Sequence, residues 1–189
     1  MKNRFLGRVL TTAALLAGTG IAGAATYERT AGSASDADIA KSITHEIRMY
    51  PRYSIWDDVS FRVVNGQVEL LGSVNQPYKK SDIARLAQRV PGVTSVTDQI
   101  KVLPLSPFDD RLRLRVARAI YGDPALTRYA INPLPTIHII VENGQVTLTG
   151  VVANEMDKNI AGIRASGAGL SFGPVVNKLQ VEQKADKKS

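Results

Sequence analysis

Two pairs of adjacent carboxylates, Asp57-Asp58 and Asp109-Asp110, and two histidines, His45 and His138, are the residues best suited to moving protons or holding a metal. Their spacing argues against both roles. Neighbouring residues point apart on a strand and lie about 100° apart on a helix, so neither Asp pair converges on one substrate atom. Neither histidine has a second ligand within local reach, and a tetrahedral site needs several. There is no cysteine, which excludes disulfides, thiol catalysis and a lipid-modified cysteine. No Gly-x-Ser-x-Gly elbow, phosphate-loop lysine motif or His-Glu-x-x-His is present either. The expectation is a protein without catalytic residues, metal or cofactor.

The residues best placed for binding are cations. Arg111, Arg115 and Arg118 fall within about 60° of one another on a helix, and Leu114 lies beside them. Arg113 belongs to the same run but not to that face. A basic face with one added apolar residue suits an anionic lipid surface. An ordinary solvated face, partly neutralised by Asp109 and Asp110, would look the same in sequence. A second candidate is the aromatic loop of Tyr50, Tyr53 and Trp56, whose rings could contact a membrane interface or a protein groove, or simply close a small core.

Both candidates sit in a chain that repeats itself. Val63-Val64-Asn65-Gly66-Gln67-Val68-Glu69-Leu70-Leu71-Gly72 recurs 78 residues later as Val141-Glu142-Asn143-Gly144-Gln145-Val146-Thr147-Leu148-Thr149-Gly150. Asn65-Gly66 and Asn143-Gly144 are type I′ hairpin signals. A two-residue loop pairs Val64 with Gln67, and so Val63 with Val68, Phe61 with Leu70 and Val59 with Gly72, which places the apolar residues on one face. Gly72 and Gly150 are expected to do structural work.

Around each hairpin the apolar period changes to that of a helix. In the first copy Ser35 caps a helix with Ile39, Ile43 and Ile47 on one face, and Asn75 is expected to cap a second with Ile83, Leu86, Ala87 and Val90. Val96, Ile100 and Val102 form a third strand. In the second copy Ser106 caps, Pro107 takes the first helical position and Asp109 completes a capping box, ahead of Leu112, Val116, Ala119 and Ile120. Asn154 caps the last helix, and Leu179 and Val181 fall in the last strand. Gly162, Gly167 and Gly169 each cost about 1 kcal/mol inside a helix, so this one should be short, frayed or held by docking. The fold class is α+β: two αββαβ units, each a mixed three-stranded sheet with two helices on one face.

The ends read differently. Lys2, Arg4 and Arg8 precede an apolar run to Ala25 closed by small residues, the pattern of a signal peptide cleaved near Ala24-Ala25. Removing those three cations leaves 21 basic against 17 acidic residues, an excess of four that fits an acidic membrane surface better than nucleic acid. Residues 183–189 are expected to form a disordered basic tail.

The two hairpins, Gly66-Gln67-Val68-Glu69-Leu70-Leu71-Gly72-Ser73-Val74 and its repeat, with Val90-Pro91-Gly92-Val93-Thr94-Ser95-Val96 after the first, resemble the BON (bacterial OsmY and nodulation) domain family. The resemblance covers 35–103 and 107–182. In the second copy Leu170-Ser171-Phe172-Gly173-Pro174 replaces the Val-Pro-Gly-Val turn. The resemblance implies a non-enzymatic, exported, periplasmic protein that is soluble after signal cleavage. It also implies peripheral binding to anionic phospholipid or envelope proteins under osmotic stress. The alternative it implies is a periplasmic chaperone holding unfolded outer-membrane proteins.

Overall fold

A computed structural model describes residues 34–131, 135–169 and 171–182. The expected signal peptide at 1–25, the tail at 183–189 and Leu170 lie outside the described residues.

In the first copy α1 (Asp36–Met49) starts where Ser35 Oγ accepts from the Asp38 amide, and it buries Ile39, Ile43 and Ile47. Strands β1 (Asp58–Val64) and β2 (Gln67–Val74) pair antiparallel in the expected register, Val64 with Gln67 and Phe61 with Leu70. Asn65 and Gly66 have φ of 51° and 74°, as a type I′ turn requires. Helix α2 (Pro77–Gln88) is not capped by Asn75. Gln76 holds the cap position without a side-chain bond, and Pro77 supplies a preset φ instead.

Strands β3 (Ser95–Asp98) and β4 (Lys101–Val102) both run parallel to β2 in one register, so they are a single third strand interrupted at Gln99-Ile100. The interruption lies beside Gly72, which has φ 105°. A Cβ there would stand 2.0 Å from the Asp58 carbonyl oxygen. Only glycine fits.

The second copy repeats this order with α3 (Pro107–Tyr121), β5 (Ile137–Glu142), β6 (Gln145–Val152), α5 (Glu155–Gly167), β7 (Val176–Asn177) and β8 (Gln180–Val181). Gly150, at φ 107°, matches Gly72, with a Cβ landing 1.9 Å from the Thr136 carbonyl oxygen. A short extra helix, α4 (Thr127–Ile131), follows α3; Tyr129 within it and Leu126 just before it pack on the core.

Despite its glycines, α5 spans 13 residues against 12 in α2. Docking holds it. Ala161 and Ala165 are buried, and Asn177 comes so close to Gly162 that a Cβ would meet its Nδ2 at 2.9 Å, while the same amide donates to Lys158 O at 2.8 Å.

Each copy buries its own core between helices and sheet. One segment breaks the separation. Ile55 and Trp56, from the loop before β1, pack on the core of the second copy, and the Ile139 amide donates to Ile55 O at 2.7 Å.

Candidate functional site

On α3 the sequence sets two faces. Leu112, Val116 and Ile120 are buried; Arg111, Arg115 and Arg118 are exposed, with Leu114 about half exposed between them. Among the described residues no carboxylate pairs with these three arginines. Asp109 and Asp110, the carboxylates nearest in sequence, make no ion pair with them, because both are engaged elsewhere. Asp110 pairs with Arg113, a residue only 4% exposed that also donates to Val141 O at 2.6 Å.

Asp109 does not complete a capping box with its carboxylate. Its amide donates to Ser106 Oγ at 3.2 Å, but its two oxygens accept from the Asn143 and Gly144 amides at 2.9 and 2.8 Å. Asp36 does the same in the first copy, accepting from Asn65 and Gly66 at 2.8 and 2.9 Å. The first helix of each copy thus clamps its own hairpin turn.

An apolar feature adjoins the basic face. Phe108, in the first turn of α3, stacks on Phe172 with ring centroids 4.9 Å apart and planes 3° from parallel, and Phe172 is 77% exposed. Gly144 gives that ring its room, since a Cβ at its position would lie 2.2 Å from Phe172 Cδ2. In sequence Phe172 stands out only as part of the turn that replaces Val-Pro-Gly-Val. Its pairing with Phe108 is 64 positions away and has no local signal.

The aromatic loop is half-buried. Tyr50 donates from its hydroxyl to Asp82 at 2.7 Å; burial, with that bond, pushes its phenol up to about 12. The Tyr53 hydroxyl accepts from the Val59 amide at 3.3 Å, and its ring tilts against His138 at 5.6 Å. Trp56 packs on the second core. All three rings are therefore engaged in packing.

Asp57, unsuited to catalysis by its spacing, does structural work instead. Asp57 is fully buried, 2.6 Å from Lys79 Nζ, and accepts from the Ser54 amide and hydroxyl and the Asn75 amide at 2.9, 2.7 and 3.0 Å. Five residues beyond β6, at the position of Lys79, stands Asp157, bound by Arg128 and the Tyr129 hydroxyl. The two copies keep a buried polar cluster here with its charges exchanged. His45 is exposed, and among the described residues no group of three His, Asp or Glu could hold a metal.

His138 faces Tyr53 and the Asp57-Asp58 segment. Burial pushes its imidazole below the usual 6.5, against the opposing pull of Asp58. The unfolded chain then binds the proton more readily than the folded one, so stability falls as pH drops below about 6.5. Urea midpoints at pH 7.5 and 5.5 should show this loss, and His138→Gln should reduce it. An equal loss in that variant would assign the dependence to other groups.

Among the described residues no helix is long and apolar enough to cross a membrane. No curated protein matches the chain. Among solved structures it is similar to the C-terminal domain of CdsD, a structural protein of the type III secretion system of Chlamydia trachomatis, at 19% identity and a TM-score of 0.30. A second CdsD structure gives the same identity and score. The matches cover 78% and 77% of this chain, which spans 66% and 61% of those structures' own lengths. A family profile described as the BON domain matches residues 35–104 and 109–183. With two matches that span most of its length and two copies of the same αββαβ architecture, the chain belongs to the BON domain family.

Proposed function

We propose that this protein is a non-enzymatic envelope module whose second domain docks reversibly on anionic phospholipid through Arg111, Leu114, Arg115 and Arg118. One observation carries the reading: α3 presents three exposed arginines with no ion-pair partner among the described residues, while the nearby carboxylates of Asp109 and Asp110 are engaged elsewhere. BON domains are phospholipid-binding modules, which supports it. Phe172, exposed at the edge of this face, adds apolar surface where acyl chains begin below the headgroups. Export to the periplasm and a role under osmotic stress are the setting in which such docking is useful. The half-burial of Tyr50, Tyr53 and Trp56 favours lipid docking over the holding of unfolded clients by those rings.

Flotation with phosphatidylglycerol vesicles tests the proposal. Each cation near an anionic surface contributes about 1 kcal/mol, so Arg111→Ala/Arg115→Ala/Arg118→Ala should weaken binding about a hundredfold at low salt. Wild-type binding should also collapse at high salt, where the Debye length shortens to about 3 Å. Unchanged recovery of the triple variant would sink the idea.

A further inference from the structure

We propose that Met156 and Ile163 on α5 insert among lipid chains beside the arginines of α3, so that the second domain selects loosely packed anionic membrane over tightly packed membrane of equal charge. The inference rests on the lipid docking proposed above and names the class of membrane that such docking selects.

At 100° per residue, Met156, Ile160 and Ile163 fall within about 60° of one another on α5. The buried line of Asp157, Ala161 and Ala165 lies roughly 130° away. Met156 is 71% exposed and Ile163 69%, while Ile160 between them is half-buried against the core. Large apolar side chains left in water along one helix stripe mark an interaction surface.

The first copy shows that the fold does not require them. With Asp157 at the position of Lys79, the places of Met156, Ile160 and Ile163 are held there by Tyr78, Asp82 and Arg85. One turn beyond Ile163, Gly167 stands where the first copy has Arg89, and a Cβ on it would meet nothing within 4 Å. The second copy has therefore lost charge along α5 while gaining cations on α3. Counted from the two clamp residues, Asp36 and Asp109, the places of Arg111, Arg115 and Arg118 are held in the first copy by Asp38, Ser42 and His45.

The first copy also shows that the two surfaces adjoin. Ser42, His45 and Arg89 line one groove between α1 and α2. Their counterparts are Arg115, Arg118 and Gly167, so the arginines border α5 at the end of its apolar stripe. An apolar stripe flanked by cations is complementary to a bilayer, where anionic headgroups lie over acyl chains. A symmetric dimer across the stripe would bring two sets of arginines near one another, which their charge opposes. Cations alone do not distinguish membranes of equal charge. Met156 and Ile163 reach the chains only through gaps between headgroups, and those gaps are larger where the chains pack loosely.

Because the chain has no cysteine, Ile163→Cys can carry a single nitrobenzoxadiazole label, with Arg85→Cys at the counterpart position as the control. The probes are fluid phosphatidylglycerol vesicles with unsaturated or saturated chains. On unsaturated vesicles the label at position 163 should shift to the blue and be quenched by lipids brominated in their chains, and the label at position 85 should not. Met156→Gln/Ile163→Gln, changes at two exposed positions, should bind unsaturated vesicles about tenfold more weakly and lose the preference for them, while its binding stays sensitive to salt. Vesicle binding that leaves the label at position 163 in water, or a double variant that binds as wild type does, overturns the proposal and leaves the arginine docking standing. Quenching at position 163 that is unchanged in Arg111→Ala/Arg115→Ala/Arg118→Ala supports insertion and rejects the arginine docking, so the two readings fail separately. A blue shift that grows with protein concentration in the absence of vesicles assigns the stripe to a second copy of the chain and overturns the proposal.

Discussion

Replacing Lys79 with methionine is expected to destabilise the protein by about 3 kcal/mol, seen as a lower urea midpoint by circular dichroism. Methionine preserves the shape of the stem but leaves the Asp57 carboxylate buried without its cation, and breaking a buried pair from one side typically costs about 3–5 kcal/mol. The lower figure applies because Ser54 and the Asn75 amide still donate to Asp57. Lys79→Met/Asp57→Asn should recover much of the loss, since asparagine removes the stranded charge while keeping one acceptor. A loss below about 1 kcal/mol in the single variant would mean that water reaches the pair.

Asp109→Ala should cost about 3 kcal/mol, and Asp36→Ala about half as much. Each substitution removes two charge-assisted bonds to turn amides, and stranding a donor costs more where it is buried. Asp109 is fully buried and the bond to Gly144 lies inside, whereas Asp36 is only half-buried and its bond to Asn65 is exposed. Asp109→Asn keeps one acceptor and should fall between wild type and alanine. Chemical denaturation of all three variants checks the ranking, and equal losses from Asp36→Ala and Asp109→Ala would reject it.

Local chemistry made much of the fold legible. The Asn-Gly turns set the hairpin register, and Ser35, Ser106 and Asn154 cap the helices they precede, because a cap acts over three residues. Asn75 misled for a related reason: its side chain suits a cap, but Pro77 places the first helical position one residue later. What stayed hidden depends on long-range partners. The clamp of Asp36 on Asn65 and Gly66 spans about thirty positions, and Trp56 finds its partners in the other repeat. One hint was available. Lys79 sits in the first turn of a helix, where the macrodipole disfavours a cation, so its presence there called for a buried carboxylate.

On the face proposed for lipid docking, helical spacing places Arg111, Arg115 and Arg118 together, and the structure leaves them exposed. The sequence could not show that Asp110 turns to Arg113, or that Phe172 closes on Phe108, since both outcomes depend on how strands and loops approach α3.

The reach of Ile55 and Trp56 into the other half has an evolutionary consequence. Two identical repeats are interchangeable, and recombination can delete one without harm. Once part of the first half completes the packing of the second, removing either half exposes what the other covered, so selection acts on the pair together. The order of synthesis suits this dependence, because the half that lends the tryptophan leaves the ribosome before the half that receives it.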